Sequence, residues 1–104
     1  SPVALNVSII ELARAYFHLG EHQEARRVSQ SILSAVPHWL TAQTILAASH
    51  WCLKQETDAR EMCETIAKQH PKFSVDRWSK GFPYPNPENL AALIDPLLEA
   101  GLHQ

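Results

Sequence analysis

The feature that most restricts the fold is a phrase written twice. The stretch "HLGEHQEARRV", residues 18–28, is answered by "CLKQETDAREM", residues 52–62. The offset between them is 34 residues. It also aligns Leu12 with Leu46, Ala13 with Ala47, Leu19 with Leu53, Ala25 with Ala59 and Arg26 with Arg60. Ile32 meets Ile66, Pro37 meets Pro71, and aromatic rings recur as Phe17 with Trp51 and Trp39 with Phe73, all without a gap. A period of this length marks a supersecondary unit that cannot bury its apolar face alone and stacks on its own copy to do so. With 104 residues in all, the chain has room for one domain and one modest core.

Each unit reads as a pair of helices. Residues 4–19 and 38–53 contain no internal Gly or Pro and carry Leu and Ala at helical spacing. Ala13, Ala47, Ala25 and Ala59 stand where neighbouring helices must approach closely. Gly20 supplies the left-handed residue that ends the first helix. Lys54 takes that place in the second copy, at a small conformational cost. Pro37 and Pro71 terminate the second helices, because proline cannot continue the hydrogen-bond ladder. The expected helices are therefore 4–19, 22–35, 38–53 and 56–69.

The first copy reads Ile9-x2-Leu12-Ala13-x2-Tyr16, then Ala25-x3-Ser29, then Pro37; the second reads Gln43-x2-Leu46-Ala47-x2-His50, then Ala59-x3-Cys63, then Pro71. This spacing resembles the tetratricopeptide repeat, whose signature is W-x2-L-G-x2-Y…A-x3-F…P. The small positions and both prolines hold, whereas no Trp opens either unit and Ser29 and Cys63 replace the Phe. The resemblance implies an all-α helical-hairpin solenoid, a right-handed superhelix of two repeats (4–37 and 38–71) within residues 1–71. A truncated third unit, a connector and a C-terminal capping helix would then fill 72–104.

That last third departs from the period. "SVDRW", residues 74–78, suits a short helix with Ser74 as its N-cap. "KGFPYPNP", residues 80–87, reads as an extended connector. Asn86-Pro87-Glu88 is a helix start, Leu90, Leu93, Ile94, Leu97 and Leu98 make an apolar stripe, and Gly101 is a natural stop. Pro96 is expected to kink or split this helix near Ile94-Asp95. The run F-P-Y-P-N-P-E…L-L-E-A-G-L is similar to the C-terminus of bacterial proteins that join a class III adenylate/guanylate cyclase-like domain, or a DNA-binding regulator domain, to a tetratricopeptide tail.

In the repeat family the first helix of each pair lines a concave groove. The family pattern assigns to it Val7, Ile10, Arg14, Phe17 and His18 in the first copy, and Thr41, Thr44, Ala48, Trp51 and Cys52 in the second. Phe17 and Trp51, one repeat apart with Arg14 beside them, are of the residue types that carry binding energy at interfaces. Packing in the core is the alternative for the same rings, with the terminal helix folded back over them. Only Arg14 suits a carboxylate clamp. Val3, Leu5, Val7, Ile9, Ile10, Leu12, Tyr16 and Phe17 make the first helix apolar on nearly every side. Such a helix calls for cover, by upstream repeats or by self-association.

Composition removes several classes. A net charge of −2 and a pI near 6.3 give no electrostatic ground for nucleic acid or an anionic membrane. No apolar run reaches the roughly 18–20 residues that span a bilayer, and no signal peptide opens the chain. Two cysteines make no disulfide framework, so a cytoplasmic setting is expected. The chain opens on Ser1-Pro2, as readily a fragment of a larger protein as a complete one. His18 and His22 flank the helix-ending Gly20, and Cys52 and Cys63 lie on different helices, so neither pair has metal-ligand spacing. No phosphate loop or nucleophile elbow is present. The expected function is a non-catalytic module, with no cofactor, that binds a protein or peptide in the groove. The second reading is a regulatory tail acting within its own multidomain chain.

Overall fold

The computed structural model describes residues 2–81 and 87–102, with side chains from residue 9 onward. Among the described residues there are six helices and no strand. They are α1 (Pro2–His18), α2 (His22–Ala35), α3 (Leu40–Cys52), α4 (Glu56–Gln69), α5 (Val75–Lys80) and α6 (Pro87–Glu99). The all-α expectation is met, and α2 and α4 have the expected boundaries to the residue. The helix at 38–53 begins two residues late because Trp39 is extended, with φ −75 and ψ 105. The groove position Val7, the cap Asn86 and the connector 82–86 lie outside the residues whose side chains or backbone are described.

The internal repeat reappears in the backbone bonding. Gly20 N donates to Phe17 O and Glu21 N to Tyr16 O; at the same offset Lys54 N donates to Trp51 O and Gln55 N to His50 O. The inter-unit turn repeats likewise, with Val36 N to Ile32 O and Trp39 N to Val36 O matched by His70 N to Ile66 O and Phe73 N to His70 O. Identical turns follow from the chain placing equivalent residue types at equivalent steps. A third copy of the helix-ending motif closes α6, where Gly101 N donates to Leu98 O and Leu102 N to Leu97 O.

All three endings need a left-handed residue. Gly20 has φ 82, Gly101 has φ 108, and Lys54 has φ 65. A side chain in that region crowds the following carbonyl, which glycine avoids. Lys54→Gly is therefore expected to stabilise the fold by about 0.5–1 kcal/mol, the relief of strain less the extra chain entropy of glycine. A urea midpoint that stays put or falls would count against this account of the turn.

Helix α3 is the centre of the molecule, packed against α1, α2, α4 and α6. Every residue from Ala42 to His50 is buried. Ala13, Ala25, Ala47 and Ala59 are all fully buried, which is where close helix approach requires a methyl group and nothing larger. Three of the four polar side chains buried on α3 find partners, and the Ser49 hydroxyl does not. Thr44 Oγ1 donates to Thr41 O at 2.7 Å, and His50 Nδ1 donates to Gln55 Oε1 at 2.7 Å. Gln43 Nε2 donates to Pro37 O at 3.2 Å and to Gln69 Oε1, while Gln43 Oε1 accepts from His70 Nε2 at 3.0 Å. This one buried amide joins the inter-unit turn, α3 and the end of α4.

The C-terminal third starts as expected, with Ser74 Oγ accepting from Arg77 N at 3.2 Å to cap α5. Helix α6 then lies along α3 and does not follow α4 in the way that α3 follows α2. Leu93, Pro96, Leu97, Ala100 and Leu102 are buried in its seat. The expected split at Pro96 is not found: α6 runs through it, and Ala100 N donates to Pro96 O at 2.9 Å. Proline removes the donor to the Ala92 carbonyl, and Ala92 is exposed, so water can serve that carbonyl instead.

Candidate interaction surface

The seating of α6 decides what becomes of the expected groove. Of the ten positions assigned to it, Ile10, Phe17, Thr44 and Ala48 are buried, Cys52 is half-buried, and Val7 lies outside the described side chains. Arg14, His18, Thr41 and Trp51 are half-buried. The expectation of open aromatic anchors is thereby revised. Phe17 is enclosed, its ring edge-on to His18 at 5.3 Å and tilted against His22 at 5.1 Å. Trp51 is turned to the terminal helix: its Nε1 donates to Glu99 Oε2 at 2.6 Å, and the Arg60 guanidinium lies 5.4 Å from the ring centroid. The rings are one repeat apart, as the offset requires, and both are spent on internal packing.

The accessible rim of that wall is polar. Arg14 Nη1 donates to Glu11 Oε1 one turn back. Burial, reinforced by the Arg14 charge, holds the His18 imidazole below its ordinary pKa, so it is neutral over most of the physiological range. The thiols are poor nucleophiles. Cys63 is buried and pushed up to about 11, and burial together with the Glu99 carboxylate raises Cys52. Among the described residues no group of three or more His, Cys, Asp or Glu is arranged to hold a metal ion. No helix of the described residues is long and apolar enough to cross a membrane.

The apolar surface that does remain open lies on the outer side of α1. Leu12 and Leu19 are 46% and 75% exposed, the large hydrophobic side chains left most open among the described residues. Ala15 is exposed between them. At about 100° per residue these three positions fall on one side of the helix, opposite the buried Ala13, Phe17 and Ile10. The sequence marks α1 as apolar all round, and the repeat pattern assigns its groove face but not this one.

The repeat itself was the available signal. Leu12, Ala15 and Leu19 correspond to Leu46, Ser49 and Leu53 on α3. There Leu46 is 4% exposed and Ser49 0%, with Leu53 half-buried. Helix α3 is packed on by α1, α2, α4 and α6, whereas α1 packs against α2 and α3. What the first hairpin does for α3, nothing among the described residues does for α1.

A cleft of about 340 Å³ opens at the opposite end, between α4 and the end of α6. Its walls are Arg60, Cys63, Glu64 and Ala67 on one side and Ala100, Gly101 and Leu102 on the other. Compared with protein-family models, curated proteins and solved structures, the chain matches none.

Proposed function

We propose that this chain is a non-catalytic stack of tetratricopeptide-like hairpins whose work is to bind another protein, and that the contact is made by the outer side of α1. One observation carries the reading: Leu12 and Leu19 stand open on a stripe whose equivalent on α3 is covered. Fully burying a leucine is worth about 1.5–3 kcal/mol, so covering this stripe supplies a real part of a binding energy. Among the described residues the poorly nucleophilic thiols, solvated carboxylates and polar rim offer no arrangement for group transfer, which favours binding over catalysis. Arg14, His18 and Thr41 remain reachable at the groove rim and are a secondary contact.

The double variant Leu12→Glu, Leu19→Glu tests this. Both side chains are exposed, so the fold is expected to survive with an unchanged helical circular dichroism spectrum. Proteins retained from a cell extract by the immobilised wild-type chain are expected to be lost from the variant. An identical retained set on both chains would sink the α1 reading.

A further inference from the structure

The stack has two unpaired ends, and they are the two halves of one interface that the molecule makes internally. Inside the chain, α2 packs on α3. One side of α2 carries Arg26 and Leu33, both half-buried, beside the buried Ser29. One period later the same side of α4 carries Arg60 and Ala67, both exposed, beside Cys63. Among the described residues α2 packs between α1 and α3, whereas α4 packs along α3 and meets the end of α6 across the cleft. At the other end of the stack, the α1 stripe of Leu12, Ala15 and Leu19 repeats Leu46, Ser49 and Leu53 of α3, which are buried or half-buried there.

We propose that the α1 stripe of one molecule seats on the α4 end of a second copy of this chain, so that copies stack head to tail. The inference rests on the α1 stripe being a protein-binding surface, and it names the partner. The two faces match in kind because each is a copy of a face already paired within the fold. Arg60 repeats Arg26, Cys63 replaces Ser29 with another small side chain, and Ala67 stands where α2 has Leu33. The smaller residue at 67 leaves the cleft, with Ala100–Leu102 as its far wall, open to receive an aliphatic side chain such as Leu19. Two different surfaces meet in such a contact, so it does not close on itself by a two-fold axis and extends beyond a dimer.

Sedimentation velocity on the full chain, from low to several hundred micromolar, tests this with one blocked end at a time. Leu19→Arg blocks the α1 end and Ala67→Arg the α4 end; both positions are exposed, and unchanged thermal unfolding confirms that each variant folds. Leu12→Arg and Glu64→Trp serve as a second pair. Wild-type chains are expected to associate past the dimer as concentration rises, and each variant alone to associate at least tenfold more weakly. An equimolar mixture of the two variants is expected to form dimers and stop there, since each dimer has one working contact and two blocked ends.

A wild-type chain that remains monomeric throughout overturns the proposal. So does a mixture that fails to pair. Association that is lost in Leu19→Arg but intact in Ala67→Arg would mean that two α1 stripes pair with each other, which overturns it as well. Should the purified chain be monomeric while capture from extract still depends on Leu12 and Leu19, the stripe binds a different protein and only this inference falls.

Discussion

Leu97→Ala is expected to lower the stability of the chain by about 3 kcal/mol, within the 2–5 kcal/mol typical of emptying a fully buried leucine site. Leu97 is fully buried on the inner side of α6, with Leu93 and Pro96 beside it. Its removal leaves a cavity between α6 and α3 that neighbouring helices can only partly close. For a chain of this size a loss of that magnitude lowers the melting temperature by about 12–24 °C. The form of the transition is as informative as its position. If α6 is part of the core, the variant unfolds in one cooperative step, with circular dichroism and tryptophan fluorescence coincident. A separate early transition that reports only Trp51, which donates to Glu99 of α6, would instead make α6 a detachable strap over the groove. In that event a partner could displace it and reach Thr44 and Ala48.

The second large effect is expected at Gln43. Truncation to Ala removes a fully buried side chain and with it the donors to Pro37 O and Gln69 Oε1 and the acceptor for His70. Pro37 and Gln69 are exposed and His70 half-buried, so water can take over part of those bonds, and the cavity supplies most of the cost. A total loss of about 3 kcal/mol is expected. Gln43→Leu separates the two causes, since it keeps most of the volume and discards the bonds. It should recover part of the loss and leave the part due to the unpaired Pro37 carbonyl, Gln69 and His70. Because the partners act as a network, the Gln43→Ala, Gln69→Ala pair should cost less than the sum of the single changes. Urea unfolding of the four chains measures this, and strict additivity would dissolve the network account.

Gln43 also shows where reading by pattern is blind. It occupies the position at which the repeat signature has Trp, and in sequence it looks like a lapse from the pattern. In the structure it is a hub, because the buried position that a large ring fills in the signature is here filled by an amide that can also hold the Pro37 turn and the end of α4. Ser29 and Cys63, the other departures, are read more easily. Both are small, both are buried, and Ser29 Oγ spends its hydrogen bond on Ala25 O at 2.6 Å within its own helix.

The candidate surface was legible only in part. The offset that made Phe17 and Trp51 equivalent also made Leu12 equivalent to Leu46 and Leu19 to Leu53. Nothing in the letters says which equivalents are covered. Phe17 and Trp51 were natural choices for a contact surface, since aromatic rings carry binding energy when exposed. Trp51 is half-covered by a partner far away in the chain: Glu99, 48 residues on, receives its N–H. A separation of that kind leaves no periodic trace.

The sequence by itself determined the hairpins. The 34-residue period, the alanines at the crossings, the left-handed steps at Gly20 and Lys54 and the ends at Ala35 and Gln69 are all set by local backbone preference and by contacts a few residues apart. Such preferences act on any stretch with the same letters, which is why the two copies have the same turns. Only the tertiary structure decided which surfaces stay open. It laid α6 along α3 instead of α4, buried Thr44 and Ala48, and left the α1 stripe and the α4 cleft uncovered. Exposure belongs to the whole assembly of helices, because a side chain is open or closed according to what else has packed against it.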